Sequence, residues 1–362
     1  MKTLAIVATT GARTALGRSA MQTGLLLRTG MPAMAASPLA DEKGEQVTMC
    51  FDPTLDPMLV GDARAAALAI PALEEALAPL GEGIRALRME LVLCLDGTSG
   101  PAAARGEPVR GAALAARVHA RARELAPGIA LEICARGAAG AAFVLPQALD
   151  ALVARRVDAI LLGGIHSDYD PATIAALEAQ GRLFSPTNLD ALVPGEAAAF
   201  VLLTREDVAR RIAPRAGGGE PRLAARIAAV GTGMERATPD NDVTPFEAIG
   251  LTSAIRSAAA ELEQRGMKSG WAITDHTFET RRMHEWQAMM TRTHALWGEP
   301  GVIDSPAQRI GHLGAAALPL AMALASEAWR RGYAPAPVAM ALAGSDAGER
   351  GAVLLFSEAV GS

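Results

Sequence analysis

Residues 129–164, IALEICARGAAGAAFVLPQALDALVARRVDAILLGG, constrain the fold more than any other stretch of this chain. Two short apolar runs, Ile129 to Cys134 and Val157 to Leu162, are bounded by Gly and charge and are too short for helices, so each predicts a strand. Ala138 to Arg155 between them predicts a helix with almost no charge before Asp150. A helix that is apolar on nearly every side belongs at the centre of a large domain. The strand turns through Gly137 into the start of this helix, beside unpaired N–H groups and a positive dipole end. A thiol placed there would be acidified, and the amides could hold an oxyanion. The sequence offers Ala138 and Ala139.

The same alternation runs along the chain. In the first half it predicts a strand over Lys2–Ala8 that turns through GARTALGRS into a helix toward Arg28, and an irregular excursion over 30–62 containing a short strand at 47–51. A helix over Asp62–Leu77, a strand over Glu90–Leu95, an amphipathic helix over Gly111–Leu125 and a strand over Phe200–Leu203 complete that half. RIAPRAGGGEP at 211–221 offers nothing to a core and reads as a linker. The second half predicts strands at 223–230, 270–274, 301–304, 336–342 and 351–356, with helices at 246–265, 280–297 and 313–331. The expected division is therefore 1–210, a linker at 211–221, and 222–362, in an α/β layered fold with internal structural duplication.

Composition excludes several classes of function. The chain has 362 residues and is 50% hydrophobic, enough for a large core. A net charge of −5 with mixed signs and only 4% aromatics leaves neither a basic footprint nor stacking platforms for nucleic acid. The N-terminus reads as a first strand rather than a signal peptide, and no run reaches the roughly eighteen apolar residues of a membrane span. Three widely spaced cysteines, Cys50, Cys94 and Cys134, form neither a disulfide framework nor a metal motif, which points to the reducing cytoplasm.

The segments VDAILLGG, HSDYDPATIAALEAQGRLFSP and VPGEAAAFVLL, with the helix before them, resemble the N-terminal half of a β-ketoacyl-ACP synthase of the thiolase superfamily. In the second half, AITDHTFET at 272–280 is similar to the strand ending in the first catalytic histidine, and RIGHLGAAALPLAMAL at 309–324 to the helix start carrying the second. The resemblance implies a five-layer αβαβα thiolase-like fold with two pseudo-twofold halves. It also places His276 and His312 at the two histidine positions of a Cys-His-His condensing site. Paired imidazole donors there stabilise the enolate formed when a malonyl unit is decarboxylated. The acyl-accepting Cys opens the central helix about twenty residues before the strand Asp, here Asp158, which brings that position to Ala138. Cys134, the nearest thiol, reads as a buried filler of the strand. The Lys that precedes the second histidine is replaced in a span with Ala307 and Gln308, and the C-terminal gating Phe by Ala343 and Gly344.

The resemblance therefore implies a catalytically degenerate protein that works by binding. Short proteins of this kind are encoded among bacterial type VI secretion effector genes, which implies an adaptor role there. Ketosynthases pair through the N-terminal half, so a homodimer or a heterodimer with a ketosynthase-like chain is expected, with an acyl carrier protein or a secretion effector as further partner. Two alternatives remain: a chain-length-factor-like partner with an apolar tunnel, and an active acyltransferase or malonyl-thioester decarboxylase, the first using Cys134 and the second His276 and His312. No cofactor or metal is expected. Asp275, His276 and His284 lack metal spacing, and Gly163-Gly164 lacks the rest of a dinucleotide fingerprint. His119 reads as a surface residue and Glu196 as structural. His166-Ser167-Asp168, as neighbours on a strand end, are expected to point apart and form no triad.

Overall fold

The computed structural model describes residues 1–97, 111–212, 223–239 and 243–361. The strands are β1 (Ala5–Thr14), β2 (Met34–Ala40), β3 (Gln46–Cys50), β4 (Met89–Cys94), β5 (Ala130–Cys134), β6 (Ala159–Ser167), β7 (Glu196–Thr204), β8 (Ala225–Met234), β9 (Ser269–Thr274), β10 (Trp297–Asp304), β11 (Val338–Gly344) and β12 (Glu349–Ser357). Ten of them form one sheet in the order β10-β9-β11-β12-β8-β1-β7-β6-β4-β5. The order is the same read outward from the β1–β8 contact in either direction, so each half repeats one topology. Residues 213–221 of the expected linker lie outside the described residues, and its first two residues end a helix, Glu206–Ile212.

Five helices define the layers used below: α1 (Gly61–Leu77), α2 (Ala112–Leu125), α3 (Gly140–Val153), α4 (Ile249–Gln264) and α5 (Ala317–Arg330). One buried cluster joins α3 and α5 to one face of strands from both halves, including Ile160 and Val201 on one side and Ile273 and Val353 on the other. The opposite faces pack on separate helices. Leu91, Leu161 and Phe200 meet α1 and α2, while Met340, Leu354 and Phe356 meet α4. Strand alternation thus feeds a central and an outer core in each half, which gives the five layers αβαβα. α5 is buried along nearly its whole length, whereas α3 buries its Ala- and Leu-rich sides and leaves one edge, Pro146, Gln147, Asp150 and Val153, to solvent.

The duplication reaches single glycines. A Cβ on Gly11 in β1 would stand 2.0 Å from the Ala72 carbonyl of α1, and one on Gly231 in β8 would stand 2.0 Å from the Ala254 carbonyl of α4. At both places a helix backbone lies directly on a strand, and only glycine leaves room.

Three expectations change. β1 continues through Gly11 to Thr14 instead of turning at Ala8, because residues Gly11 to Thr14 pair with Phe200 to Ala197 of β7. The excursion after the first helix holds a hairpin, β2–β3, where only the second strand was expected. β6 does not end before Gly163-Gly164 but runs through both to Ser167, paired with β7 throughout. Those glycines accommodate close neighbours: a Cβ on Gly163 would meet the Phe200 ring at 2.2 Å, and one on Gly164 the Ala315 carbonyl at 2.1 Å.

Buried charge ties the first half together. Arg64 on α1 and Glu196 at the start of β7 form an almost fully buried pair, with Nε–Oε2 2.6 Å. Glu196 also accepts from the Asp52 amide and the Ser167 hydroxyl, and Arg64 lies 3.7 Å from the Tyr169 ring centroid. The structural role read for Glu196 is therefore met by a guanidinium as much as by amides.

Candidate functional site

Two turns related by the duplication open the central helices. Gly137–Ala139 leads into α3 and Gly314–Ala316 into α5, each a single 3₁₀ turn whose first glycine has positive φ, +62° at Gly137 and +42° at Gly314. Both put backbone amides at the start of a buried helix, but they carry different side chains.

The first turn is apolar. Ala138 and Ala139 are buried. The nearest hydroxyl is Ser345, whose Oγ accepts from the Ala139 amide at 3.0 Å and donates to the Arg136 carbonyl at 2.5 Å. With its proton committed to a carbonyl and a lone pair to an amide, this hydroxyl has no base to activate it. Cys134 sits at the end of β5, in register with Cys94 of β4, and its Sγ donates to the Gly140 carbonyl at 3.5 Å. The neighbouring Cys94 thiol shifts Cys134 below the ordinary thiol range, while Cys94, beside Cys134 and fully enclosed, is pushed well above it. Burial pushes Cys50 up to about 12.

The second turn is surrounded by ionisable groups. Gly314 faces His166 and Asp96: a Cβ on it would lie 2.2 Å from His166 Nδ1 and 2.5 Å from Asp96 Oδ1. His166 Nδ1 bonds Asp96 Oδ2 at 2.6 Å, and Asp96 Oδ1 accepts from the Ala315 amide at 2.9 Å. His166 Nε2 lies 3.0 Å from Asp168 Oδ2, but its N–H axis misses that oxygen, which leaves Nε2 without a hydrogen-bond partner. Asp168 Oδ2 also takes His312 Nδ1 at 3.1 Å and the Gly195 amide at 3.1 Å. The His166 and His312 rings meet edge to face with centroids 4.3 Å apart. Burial alone would lower the His166 pKa, but the Asp168 and Asp96 carboxylates outweigh it and raise it well above the ordinary value. Asp168 is correspondingly held far below the carboxylate range, its burial outweighed by the two imidazoles.

His166 and Asp168 were expected to point apart. They stand two residues apart at the end of a strand, so they share a face, and the structure brings both to His312. The H-x-D spacing was the available signal. Alternation along a strand puts residues i and i+2 on one face, with Ser167 on the other.

His276, just beyond the end of β9, is buried as well. Its ring stacks on Trp286 at 5.2 Å, its Nδ1 lies 3.3 Å from Thr274 Oγ1, and burial lowers its pKa to about 4. No hydrogen bond or ring contact joins His276 to His312 among the described residues. Ala307 and Gln308 begin a single helical turn, and Ala343 and Gly344 end β11. The Gly344 amide donates to Asp275 Oδ2 at 2.9 Å, and Asp275, Arg282, Glu285 and Arg350 continue as a chain of ion pairs of 2.6–3.0 Å. That chain fixes the loop carrying Ser345 against the first turn. Beside it opens a cleft of about 680 Å³ whose lining includes Arg182, Arg281, Arg282, Glu279, Glu285 and Asp346. No helix among the described residues is long and apolar enough to cross a membrane.

Neither a scan against protein-family models nor a search of curated proteins finds a match to this sequence. Solved structures do match. The ishigamide ketosynthase/chain length factor is 18% identical with a TM-score of 0.75, over 97% of this chain and 98% of that one. A β-ketoacyl synthase from Burkholderia phymatum is 17% identical with a TM-score of 0.73, over 99% of this chain and 100% of that one. A third match, 14% identical with a TM-score of 0.74 over 97% and 98%, comes from a complex of a type II polyketide synthase acyl-carrier protein with its ketosynthase. The chain has the thiolase-like fold of the ketosynthases and chain length factors.

Proposed function

We propose that this is a catalytically degenerate ketosynthase-like protein that acts by binding a partner protein or an acyl ligand, with His276 and His312 at vestigial catalytic positions and Ala138 at the nucleophile position. The observation that carries this reading is the first turn. Its backbone has the form that would serve a nucleophile, yet its side chains are Gly137, Ala138 and Ala139, and the nearby Ser345 hydroxyl is tied at both ends. A condensing reaction needs a covalent acyl carrier at that point.

The partner that fits best is a second ketosynthase-like chain, identical or not. β5 ends the sheet with Ala130 and Ile133 exposed, a short edge able to add a strand. The likeness to a ketosynthase/chain length factor supports such a pair, and the carrier-protein complex among the similar structures supports an acyl carrier as further partner. The charged lining of the large cleft suits a protein surface better than an acyl chain, which favours the protein-binding form of the proposal. A role beside a type VI secretion effector rests on the sequence resemblance alone.

The competing reading is a malonyl-thioester decarboxylase using His276 and His312. Incubating the protein with a malonyl-thioester and following thioester loss separates the two. The proposal expects no turnover above solvent background. Turnover abolished by His276→Ala and His312→Ala would replace it with the decarboxylase.

A further inference from the structure

The cluster at the second turn has a property that acyl chemistry does not explain. His166 is 5% exposed and Asp168 is 4% exposed, yet His166 Nε2 has no hydrogen-bond partner and faces Asp168 Oδ2 from 3.0 Å. A buried donor or acceptor left in that state is costly. His312 Nδ1 approaches the same oxygen from 3.1 Å, and these three atoms lie within 4.8 Å of one another.

We propose that His166 Nε2, Asp168 Oδ2 and His312 Nδ1 form a binding site for a divalent first-row transition metal ion of the Zn²⁺ class. Ligand atoms around a tetrahedral Zn²⁺ with bonds of about 2.0–2.1 Å stand roughly 3.3 Å apart, so the nitrogen–oxygen separations of 3.0 and 3.1 Å need open only slightly to take the ion. Two imidazoles and one carboxylate suit Zn²⁺, Co²⁺ or Ni²⁺, and their nitrogen content disfavours Mg²⁺ and Ca²⁺. An ion would take the place of the His166 proton that now faces Asp168 Oδ2 off the hydrogen-bond axis, so its binding releases a proton.

The surroundings are those a metal-binding histidine requires. Asp96 Oδ2 takes the other ring nitrogen of His166 at 2.6 Å, which fixes the ring and aims Nε2 at the site. The Ala315 amide holds Asp96 in turn, and the Gly195 amide holds Asp168. Gly314 and Gly195 supply the room: a Cβ on the first would overlap His166, and one on the second would lie 2.5 Å from the His312 carbonyl. The His312 side chain is 29% exposed and that of Asp96 43%, so water reaches the open side and can fill the fourth position.

This inference goes beyond the binding role proposed above and does not depend on it. The metal-stripped full-length protein is titrated with Co²⁺, followed by its visible absorption, and the Co²⁺ is then displaced by Zn²⁺. The expected result is one ion per chain with the intense visible bands of a four-coordinate site. His312→Ala, at a partly exposed position, should weaken binding by more than about 100-fold, and Asp96→Asn by about 10–100-fold. His284→Ala, at an exposed histidine, should leave it unchanged. Circular dichroism checks that the variants fold, and Asp96→Asn serves if His312→Ala does not. Binding below one ion per chain, equal affinity in His312→Ala and wild type, or a thiolate-to-metal band placing the ion on Cys94 and Cys134 would overturn the proposal.

Discussion

Gly137–Ala139 and Gly314–Ala316 are the same turn twice, a positive-φ glycine and two alanines leading into a central helix, and they differ in what faces them. The first meets a single hydroxyl already bonded on both sides, whereas the second meets His166, Asp96 and, through Asp168, His312. The duplicated backbone is thus kept where packing demands it, while the cluster of histidines and carboxylates faces one copy. A ketosynthase fold does not by itself bring ketosynthase chemistry; side chains at a few positions decide that.

The largest effects should come where the halves are alike. Gly11→Ala and Gly231→Ala each force a Cβ to 2.0 Å from a helix carbonyl, and each should cost about 4 kcal/mol or more in urea unfolding, if the protein folds at all. A mild result at one position and not the other would break the equivalence of the halves. The turns should then separate. Gly314→Ala adds a clash with His166 and Asp96 to the left-handed backbone and should cost about 3–5 kcal/mol, against about 1–2 kcal/mol for Gly137→Ala, whose Cβ meets only Ser345 at 3.2 Å. Equal costs would mean that the cluster around Gly314 yields easily and is not a built site.

A smaller effect concerns pH. His276 has its pKa lowered by burial to about 4, so it folds as the neutral ring and resists protonation that the unfolded chain accepts near 6.5. Its contribution to stability is therefore present above pH 6.5 and is lost as pH falls from there toward 4, by about 2–3 kcal/mol. His276→Gln should flatten the stability curve in that window relative to wild type. An unchanged slope would show that the ring is not held neutral.

The layered fold and most elements were legible because βα units write their hydrophobic periods plainly: the elements expected around 129–164 and in the second half are all present, with shifted boundaries. β2 was not, since MAASPLA has a Pro and no β-branched residue. The site was only partly legible. His312, Ala138 and Ala139 could be placed from motifs, but the groups that gather around His312 could not, because Gly163 and Gly164 read as the end of a strand. Those glycines are close-packing points against Phe200 and Ala315 inside β6, a tertiary reason invisible in local sequence. Asp96 joins the cluster from another strand end, across seventy residues of chain.

The central claim is that the turn at Gly137–Ala139 holds no group able to accept an acyl chain. Intact-protein mass spectrometry after incubation with acetyl- and malonyl-thioesters tests it most directly. The account predicts an unmodified mass. An acyl adduct mapped to Cys134 or Ser345 would contradict it and make the protein an acyltransferase.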